Sequence, residues 1–236
     1  MTPQNTSLIR KSILFLVAAM LSASAMALDF NQIQREASQG NADAQLQLGA
    51  IYYQGKGVRQ DYVKARQWYE KAAEQGDAIS QGLLGFLYYR GEGVSQDYAK
   101  ALEWFKKSAN QDIAISQRML ASLYDEGKGV RQDYVKARQW YEKAAEQGDS
   151  SSQFSMGYAY ANGQGVSQDY AKALEWFKKS SNQDNAAAQA YIGIMYEFGQ
   201  GVPKNKKTAK EWFGKSCDNG YQGGCDDYRK LNEQGH

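Results

Sequence analysis

Histidine and cysteine, two residues that commonly build catalytic and metal centres, are almost missing from this sequence. The one histidine is His236, the last residue, and the two cysteines are Cys217 and Cys225. A Ser–His or Cys–His catalytic pair therefore cannot form in the interior, and two thiolates alone leave a zinc ion short of ligands. The sequence predicts no catalytic residue, no metal site and no cofactor.

The sequence also lacks the motifs of serine enzymes that act on β-lactams. No S-x-x-K and no K-T-G sequence occurs, and Lys207-Thr208-Ala209 is the nearest approach. Acidic residues are numerous, but they recur at the helical period, as solvated charges do, and no isolated pair indicates general acid–base chemistry. These absences argue against an enzyme.

Neither sign of charge is in excess beyond residue 27, where 26 basic and 26 acidic residues occur. The two signs alternate at helical spacing, as in Arg66 and Glu70 or Glu103 and Lys107. Binding to nucleic acid needs clustered lysine and arginine in excess. We therefore expect solvated helix faces and no nucleic-acid partner.

Long hydrophobic runs are missing except near the N-terminus. Two basic residues precede the apolar run 13–21, and small residues with an A-x-A pattern ending at Ala27 follow it. This order predicts a secretory signal peptide over residues 1–27, cleaved after Ala27. The run is much shorter than the ~20 residues of a membrane span, which disfavours an uncleaved anchor. We expect a mature chain that is periplasmic or secreted and has no transmembrane segment.

Internal repetition is the most prominent feature of the sequence. The segment GKGVRQDYVKARQWYEKAAEQGD occurs at 55–77 and again at 127–149. The tryptophans give a period of 36 residues, since they are Trp68, Trp104, Trp140, Trp176 and Trp212. The period predicts five repeats that fill residues 41–220, with bounds at 41–76, 77–112, 113–148, 149–184 and 185–220.

Each repeat predicts two helices joined by a glycine-flanked turn. In the first repeat they cover about residues 42–54 and 61–75, and the second helix has an apolar stripe at helical spacing. Asp61 is placed to cap this helix, and Gly49 and Ala65 are small where the two helices approach. A single hairpin cannot bury its stripe, so the hairpins must stack into an α-solenoid.

Shorter segments at both ends are predicted to cap the array. Residues 28–40 are similar to a lone second helix, and residues 221–236 begin a first helix that departs from the pattern. Cys217 and Cys225 lie on the last hairpin, eight residues apart. In an oxidising compartment we expect them to form a disulfide bond.

The first helices differ from repeat to repeat, while the second helices stay alike. At ~100° per residue, the changing positions fall within about 120° of one helix side. Aromatic and arginine residues on this side are typical of interface anchors, unless neighbouring repeats cover some of them, in particular Phe86 and Ile194. The candidate partner-binding residues are Tyr53, Phe86, Tyr89, Arg90, Arg118, Asp125, Glu126, Phe154, Tyr158, Tyr191, Glu197 and Phe198.

The repeat pattern resembles the Sel1-like repeat. The second repeat carries it as Leu84-Gly85, Tyr88, Gly91, Gly93-Val94, Asp97, Lys100-Ala101, Trp104 and Lys107. The resemblance implies an all-α, right-handed α-solenoid related to tetratricopeptide arrays, with the first helices on its concave wall. It also implies a scaffold that binds other proteins. We therefore expect an exported, non-catalytic, monomeric scaffold that binds a protein or peptide through this concave face.

The segment KSCDNGYQGGC, at residues 215–225, resembles the cysteine-rich branch of the same family. Members of that branch bind penicillin or hydrolyse β-lactams weakly. The resemblance covers only one hairpin. It leaves a second hypothesis, that the protein binds or slowly hydrolyses a β-lactam.

Overall fold

The computed structural model describes residues 30–235, which form twelve α-helices and no strand. The predicted signal peptide lies outside these residues, as do the first two residues of the N-terminal half-repeat. The helices are α1 (Phe30–Ser38), α2 (Ala42–Gln54), α3 (Tyr62–Glu74), α4 (Ala78–Arg90), α5 (Tyr98–Ala109), α6 (Ala114–Glu126), α7 (Tyr134–Glu146), α8 (Ser150–Asn162), α9 (Tyr170–Ser181), α10 (Ala186–Phe198), α11 (Lys206–Asp218) and α12 (Gln222–Glu233).

The helices pair into hairpins that recur every 36 residues, which confirms the predicted all-α class and its helix–turn–helix repeat. First helices are α2, α4, α6, α8 and α10, and second helices are α3, α5, α7, α9 and α11. The chain forms two compact units, which meet in sequence between Ile113 and Ala114. The first unit contains α1 to α5, and the second contains α6 to α12. None of the described helices is long and apolar enough to span a membrane.

Every second helix begins at the side chain that the sequence places there as a cap. Asp61 Oδ1 accepts a hydrogen bond from the Lys64 backbone N–H at 3.0 Å, which satisfies a free donor of the first turn. The backbone N–H of Asp61 donates to the Tyr52 carbonyl at 2.9 Å, and this bond closes the turn between the two helices. Equivalent caps are Asp97, Asp133, Asp169 and Asn205.

In four of the five hairpins, the two helices touch where a glycine faces an aromatic ring. A Cβ atom at Gly193 would lie 2.7 Å from Cδ1 of Phe213, and one at Gly85 would lie 2.8 Å from Cδ1 of Phe105. Both rings are fully buried. The missing side chain therefore lets the backbone of the first helix rest directly on the ring.

Buried glutamines connect successive hairpins within each unit. Gln153 Nε2 donates to the Ala145 carbonyl at 3.1 Å, and its Oε1 accepts from Gln183 Nε2 at 2.9 Å. In the first unit, Gln45 likewise donates to the Ala37 carbonyl at 3.0 Å and accepts from Gln75 at 2.7 Å. Because both ends of each buried amide are bonded, it is tolerated in the core.

A disulfide bond joins Cys217 to Cys225, which confirms the predicted pairing. It links the end of α11 to the start of α12, whose Leu231 packs into one core cluster with Phe213 and Ala209. A closed loop of this length contributes about 2–3 kcal/mol in the chain-entropy model. The bond therefore holds the last helix on the second unit.

We expect Gly193→Ala to lower the free energy of unfolding by about 1–3 kcal/mol. The new methyl group would overlap the buried Phe213 ring, and this outweighs the better helix propensity of alanine. Urea denaturation followed by far-UV circular dichroism measures the change.

Gly214→Ala is the matched control in the next helix of the same unit. Its Cβ would lie 3.4 Å from Tyr228, an ordinary contact distance. We expect this variant to be unchanged or stabilised by up to about 1 kcal/mol. Equal stability of the two variants would contradict the glycine–ring contact.

Candidate functional site

Three of the twelve predicted contact residues lie in the core. Phe86 is 4 % exposed, with its ring centroid 5.0 Å from that of Phe105. Tyr89 is also buried, with its centroid 5.3 Å from that of Tyr98. In the second unit, buried Glu197 forms an ion pair with Lys230 at 3.7 Å. Each of these named contacts lies within one unit.

In the first unit, Tyr53 and Arg90 share a carboxylate. The Tyr53 hydroxyl donates to Oε2 of Glu92 at 2.9 Å, and Arg90 Nη1 lies 3.3 Å from Oε1 of Glu92. Burial raises the pKa of the Tyr53 phenol well above its ordinary value, and the charge of Glu92 adds to the effect. The Tyr53 phenol is therefore a neutral donor that is already engaged.

Three other predicted residues of the second unit either form ion pairs or lie on its surface. Arg118 Nε lies 3.2 Å from Oδ2 of Asp149. Glu126 is exposed, and its carboxylate pairs with Lys128. Phe198, the last residue of α10, is the most exposed of the large apolar side chains described. None of these three lines the pocket described next.

The remaining four predicted residues, Asp125, Phe154, Tyr158 and Tyr191, line one pocket in the second unit. Its volume is about 230 Å³. They come from the first helices α6, α8 and α10, and the second helix α7 forms the opposite wall. We call this the aromatic pocket, whose lining also includes Tyr134, Arg138, Tyr141, Ser155 and Ala159.

Three aromatic rings of the pocket hold one another in place. The ring centroid of Tyr191 lies 5.4 Å from that of Phe154 and 5.8 Å from that of Tyr158, both in edge-to-face geometry. The fully buried Phe177 packs beneath, 5.6 Å from Phe154 and 5.2 Å from Tyr191. Such contacts fix ring orientation. The walls are therefore preformed, and Tyr158, which is 36 % exposed, remains accessible to solvent.

The aromatic pocket contains one carboxylate that no neighbouring charge compensates. Arg138 is engaged, since its Nη1 bonds Oε2 of Glu142 at 2.9 Å and its Nε donates to the Gly165 carbonyl at 3.2 Å. The half-buried Asp125 side chain forms no hydrogen bond or ion pair with the part of the chain that the structure describes. Burial, followed by the charge of Glu126, raises the pKa of the Asp125 carboxyl.

The duplicated sequence provides a matched site in the first unit, and there the space is filled. Helices α3 and α7 have identical sequences, so the same residue types form the second-helix wall in both units. On the first helices, Asp125, Ser155, Tyr158 and Ala159 are replaced by Tyr53, Leu83, Phe86 and Leu87. The last three of these are buried. The aromatic pocket therefore exists because the first helices of the second unit have smaller or more polar residues.

A single methyl group also shapes the pocket. In the first unit a Cβ at Gly49 would lie 2.5 Å from Cε1 of Tyr69, a ring that is 1 % exposed. The equivalent of Gly49 is Ala121, which is fully buried, and the equivalent of Tyr69 is Tyr141, which is only partly buried and lines the pocket. A ring placed like that of Tyr69 would overlap the Ala121 methyl group, so we infer that the Tyr141 ring lies farther out.

Sequence reasoning missed the part of the pocket that the second helix provides. Tyr134, Arg138 and Tyr141 belong to the unvarying second helix, where a search for variation finds nothing. Sequence reasoning also did not identify Ala121, which stands in the third repeat where the first repeat has Gly49. The sequence did contain one signal for it. Glycine is replaced by alanine at this position while the facing second helix stays identical, and the added methyl group must displace the tyrosine ring of that helix.

Comparison with known proteins identifies similar chains. The family model described as Sel1 repeat matches residues 42–77, 78–113, 114–149, 150–185 and 186–221. A protective antigen of uropathogenic Escherichia coli strains that displays an SLR fold is 35 % identical, with a TM-score of 0.79 over 89 % of this chain and 50 % of that chain. This chain thus spans half the length of the antigen.

A Sel1 repeat protein from Oxalobacter formigenes is 31 % identical, with a TM-score of 0.77 over 89 % of this chain and 83 % of that chain. No curated protein sequence matches the chain.

We expect Asp125→Asn to stabilise the protein at neutral pH. Because burial raises the folded-state pKa of Asp125, its contribution to stability is fully present below the unfolded-state pKa and is lost as the pH rises through the folded-state pKa. The advantage of the asparagine variant should therefore be present at about pH 7 and vanish towards about pH 4. Urea denaturation at both pH values measures it.

Glu126→Gln is the control, since it removes the same charge one residue away, where the carboxylate is exposed and paired with Lys128. No comparable gain is expected for this variant. An asparagine variant that is less stable than the wild type at neutral pH would contradict the uncompensated burial of Asp125.

Proposed function

Because the chain belongs to the Sel1 repeat family, we propose that it is an exported scaffold that binds a protein or peptide through its first helices. Proteins of this family are generally non-catalytic repeat scaffolds that bind other proteins. The observation that carries the proposal for this chain is the aromatic pocket. Four of the residues that line it belong to the variable side of the first helices.

The contrast between the two units supports a binding role for the pocket. A core position gains stability when it is filled, as in the first unit, where Leu83, Phe86 and Leu87 are buried. The second unit has Ser155, Tyr158 and Ala159 at these positions and leaves about 230 Å³ unfilled. Loss of packing at one of two duplicated sites is what a binding function would require.

The composition of the pocket rim also favours a protein partner. Tyrosine combines a rigid apolar ring with a hydroxyl group and is enriched among the residues that dominate binding energy. Tyr134 and Tyr158 are both more than one-third exposed. A partner side chain that entered the pocket would bury these rings and exclude water from the contact.

Export is supported by two features of the chain. The first is the order of basic, apolar and small residues over positions 1–27. The second is the disulfide bond between Cys217 and Cys225, since such bonds persist in oxidising compartments. The similar E. coli structure is that of a protective antigen, and exposure outside the cytoplasm would agree with this likeness.

The β-lactam hypothesis remains the alternative from a different functional class. It rests on the resemblance of residues 215–225 and involves no residue of the aromatic pocket. Failure to capture a protein partner would make it the next hypothesis to test, by nitrocefin turnover with the purified protein.

We expect the double variant Tyr158→Ala, Tyr191→Ala to bind its partner at least about tenfold more weakly than the wild type. Cross-linking and capture from the native cell envelope, followed by mass spectrometry, identifies the partner. A titration with the purified partner then measures both affinities, after circular dichroism has shown that both proteins are folded.

The control is the double variant Val63→Ala, Val135→Ala, which truncates two exposed apolar side chains of second helices. We expect it to bind like the wild type. Equal binding by the tyrosine variant and this control would place the contact away from the first helices.

We expect the protein isolated from its native cell to begin at Leu28 and to contain no free thiol. Intact mass spectrometry after alkylation without reduction reports both properties at once, and fractionation shows the compartment. A chain that retains residues 1–27, or that takes up alkylating reagent at Cys217, would contradict export.

A further inference from the structure

We propose that the aromatic pocket binds a lysine side chain of the partner, with Asp125 as its counter-ion. This inference rests on the proposed function, because it names the chemistry by which a protein partner would be recognised. Four observations support lysine binding: the geometry of the rings, the charges around the pocket, the size of the pocket and the matched site in the first unit.

The rings of the aromatic pocket offer unoccupied positions for a cation. A lysine ammonium is attracted to the face of an aromatic ring, and the chain uses this contact elsewhere. Lys143 Nζ lies 4.4 Å from the ring centroid of Trp140, and Lys179 Nζ lies 4.0 Å from that of Trp176. Within residues 30–235, no lysine or arginine of the chain lies over the pocket rings of Phe154, Tyr158 or Tyr191.

The charges around the pocket select a cation over an anion. Arg138 is paired with Glu142 and bonded to the Gly165 carbonyl, which weakens its attraction for a second carboxylate. Asp125 has no partner among the described residues and is half-buried. An anionic or neutral ligand would cover this charge without pairing it, which is unfavourable. A cation would compensate it.

The size and the acceptors of the pocket favour lysine. Its volume of about 230 Å³ is below the roughly 300–1,000 Å³ of pockets that enclose drug-sized ligands. One side chain is therefore a better match than a larger molecule. A carboxylate can pair with either cation, but an ammonium group is more compact than a guanidinium group and donates three hydrogen bonds in diverging, rotatable directions. The hydroxyl groups of Ser155 and the tyrosines, which line the pocket beside Asp125, suit such diverging donors.

Among the described residues of the first unit, the matched positions do not form an equivalent binding site. Tyr53 replaces Asp125, and its hydroxyl already donates to Glu92 at 2.9 Å. The space that corresponds to the pocket is taken by buried leucine and phenylalanine side chains. The protein should therefore bind lysine in the second unit alone.

The test is a titration of the exported, disulfide-bonded protein with Nα-acetyl-lysine methylamide, followed by amide chemical shifts in NMR spectra. We expect a dissociation constant of about 1–10 mM and shifts confined to the aromatic pocket. Nα-acetyl-norleucine methylamide, which has the same chain without the ammonium group, should bind at least about fivefold more weakly.

Asp125→Asn should weaken binding of the lysine probe about fivefold, and Glu126→Gln should leave it unchanged. The two variants remove the same charge from adjacent residues, so the difference between them isolates the pocket carboxylate. Equal binding of the lysine and norleucine probes, no shift at ~10 mM probe, or an unaffected asparagine variant would overturn the inference. Tighter binding of Nα-acetyl-arginine methylamide than of the lysine probe would overturn the assignment to lysine.

The captured partner separates this inference from the proposed function. Loss of the partner with the Tyr158, Tyr191 double variant but full retention by Asp125→Asn would refute lysine recognition and leave the scaffold function standing. Retention by both variants would refute the proposed binding surface itself. Both proposals would be supported if the partner bound neither variant and if the wild-type protein did not bind a partner in which one lysine is replaced by norleucine.

Discussion

The buried glutamine at the start of each first helix is the interaction on which each unit depends. Apolar packing between helices has no preferred direction, so it holds hairpins together without fixing their register. The amide of Gln153 fixes it, because its two ends bond the Ala145 carbonyl behind and Gln183 ahead. Loss of this side chain would remove both of these hydrogen bonds between neighbouring helices, each worth about 0.5–1.5 kcal/mol.

Once the register is fixed, the second helices can stay constant while the first helices change. Helices α3 and α7 are identical, yet they face a filled core in one unit and the aromatic pocket in the other. The difference arises from a few positions on α6 and α8, together with the Ala121 methyl group. A pocket can thus arise by reducing side-chain volume within an unchanged helical frame, without a change in backbone topology.

The same division explains what the sequence could predict. The period, the helix pairs and the caps at Asp61 and Asn205 depend on local spacing that recurs five times. The exposure of a varied position depends on its neighbours in space. Phe86 and Tyr158 share one repeat position, but the first is 4 % exposed and the second 36 %, because the side chains around them differ in volume. The spacing of residues along the sequence does not show which side chains surround a given position in space.

The disulfide bond makes local unfolding less frequent at the C-terminal end of the second unit than in the rest of that unit. Repeat arrays lose structure from their ends, because a terminal repeat has only one neighbour. The covalent link between Cys217 and Cys225 resists fraying of α12, so a protease that approaches from the C-terminal side meets a chain that opens rarely. In the proteolytic environment outside a cell, the lifetime of the protein would then be determined by how often the rest of the chain opens.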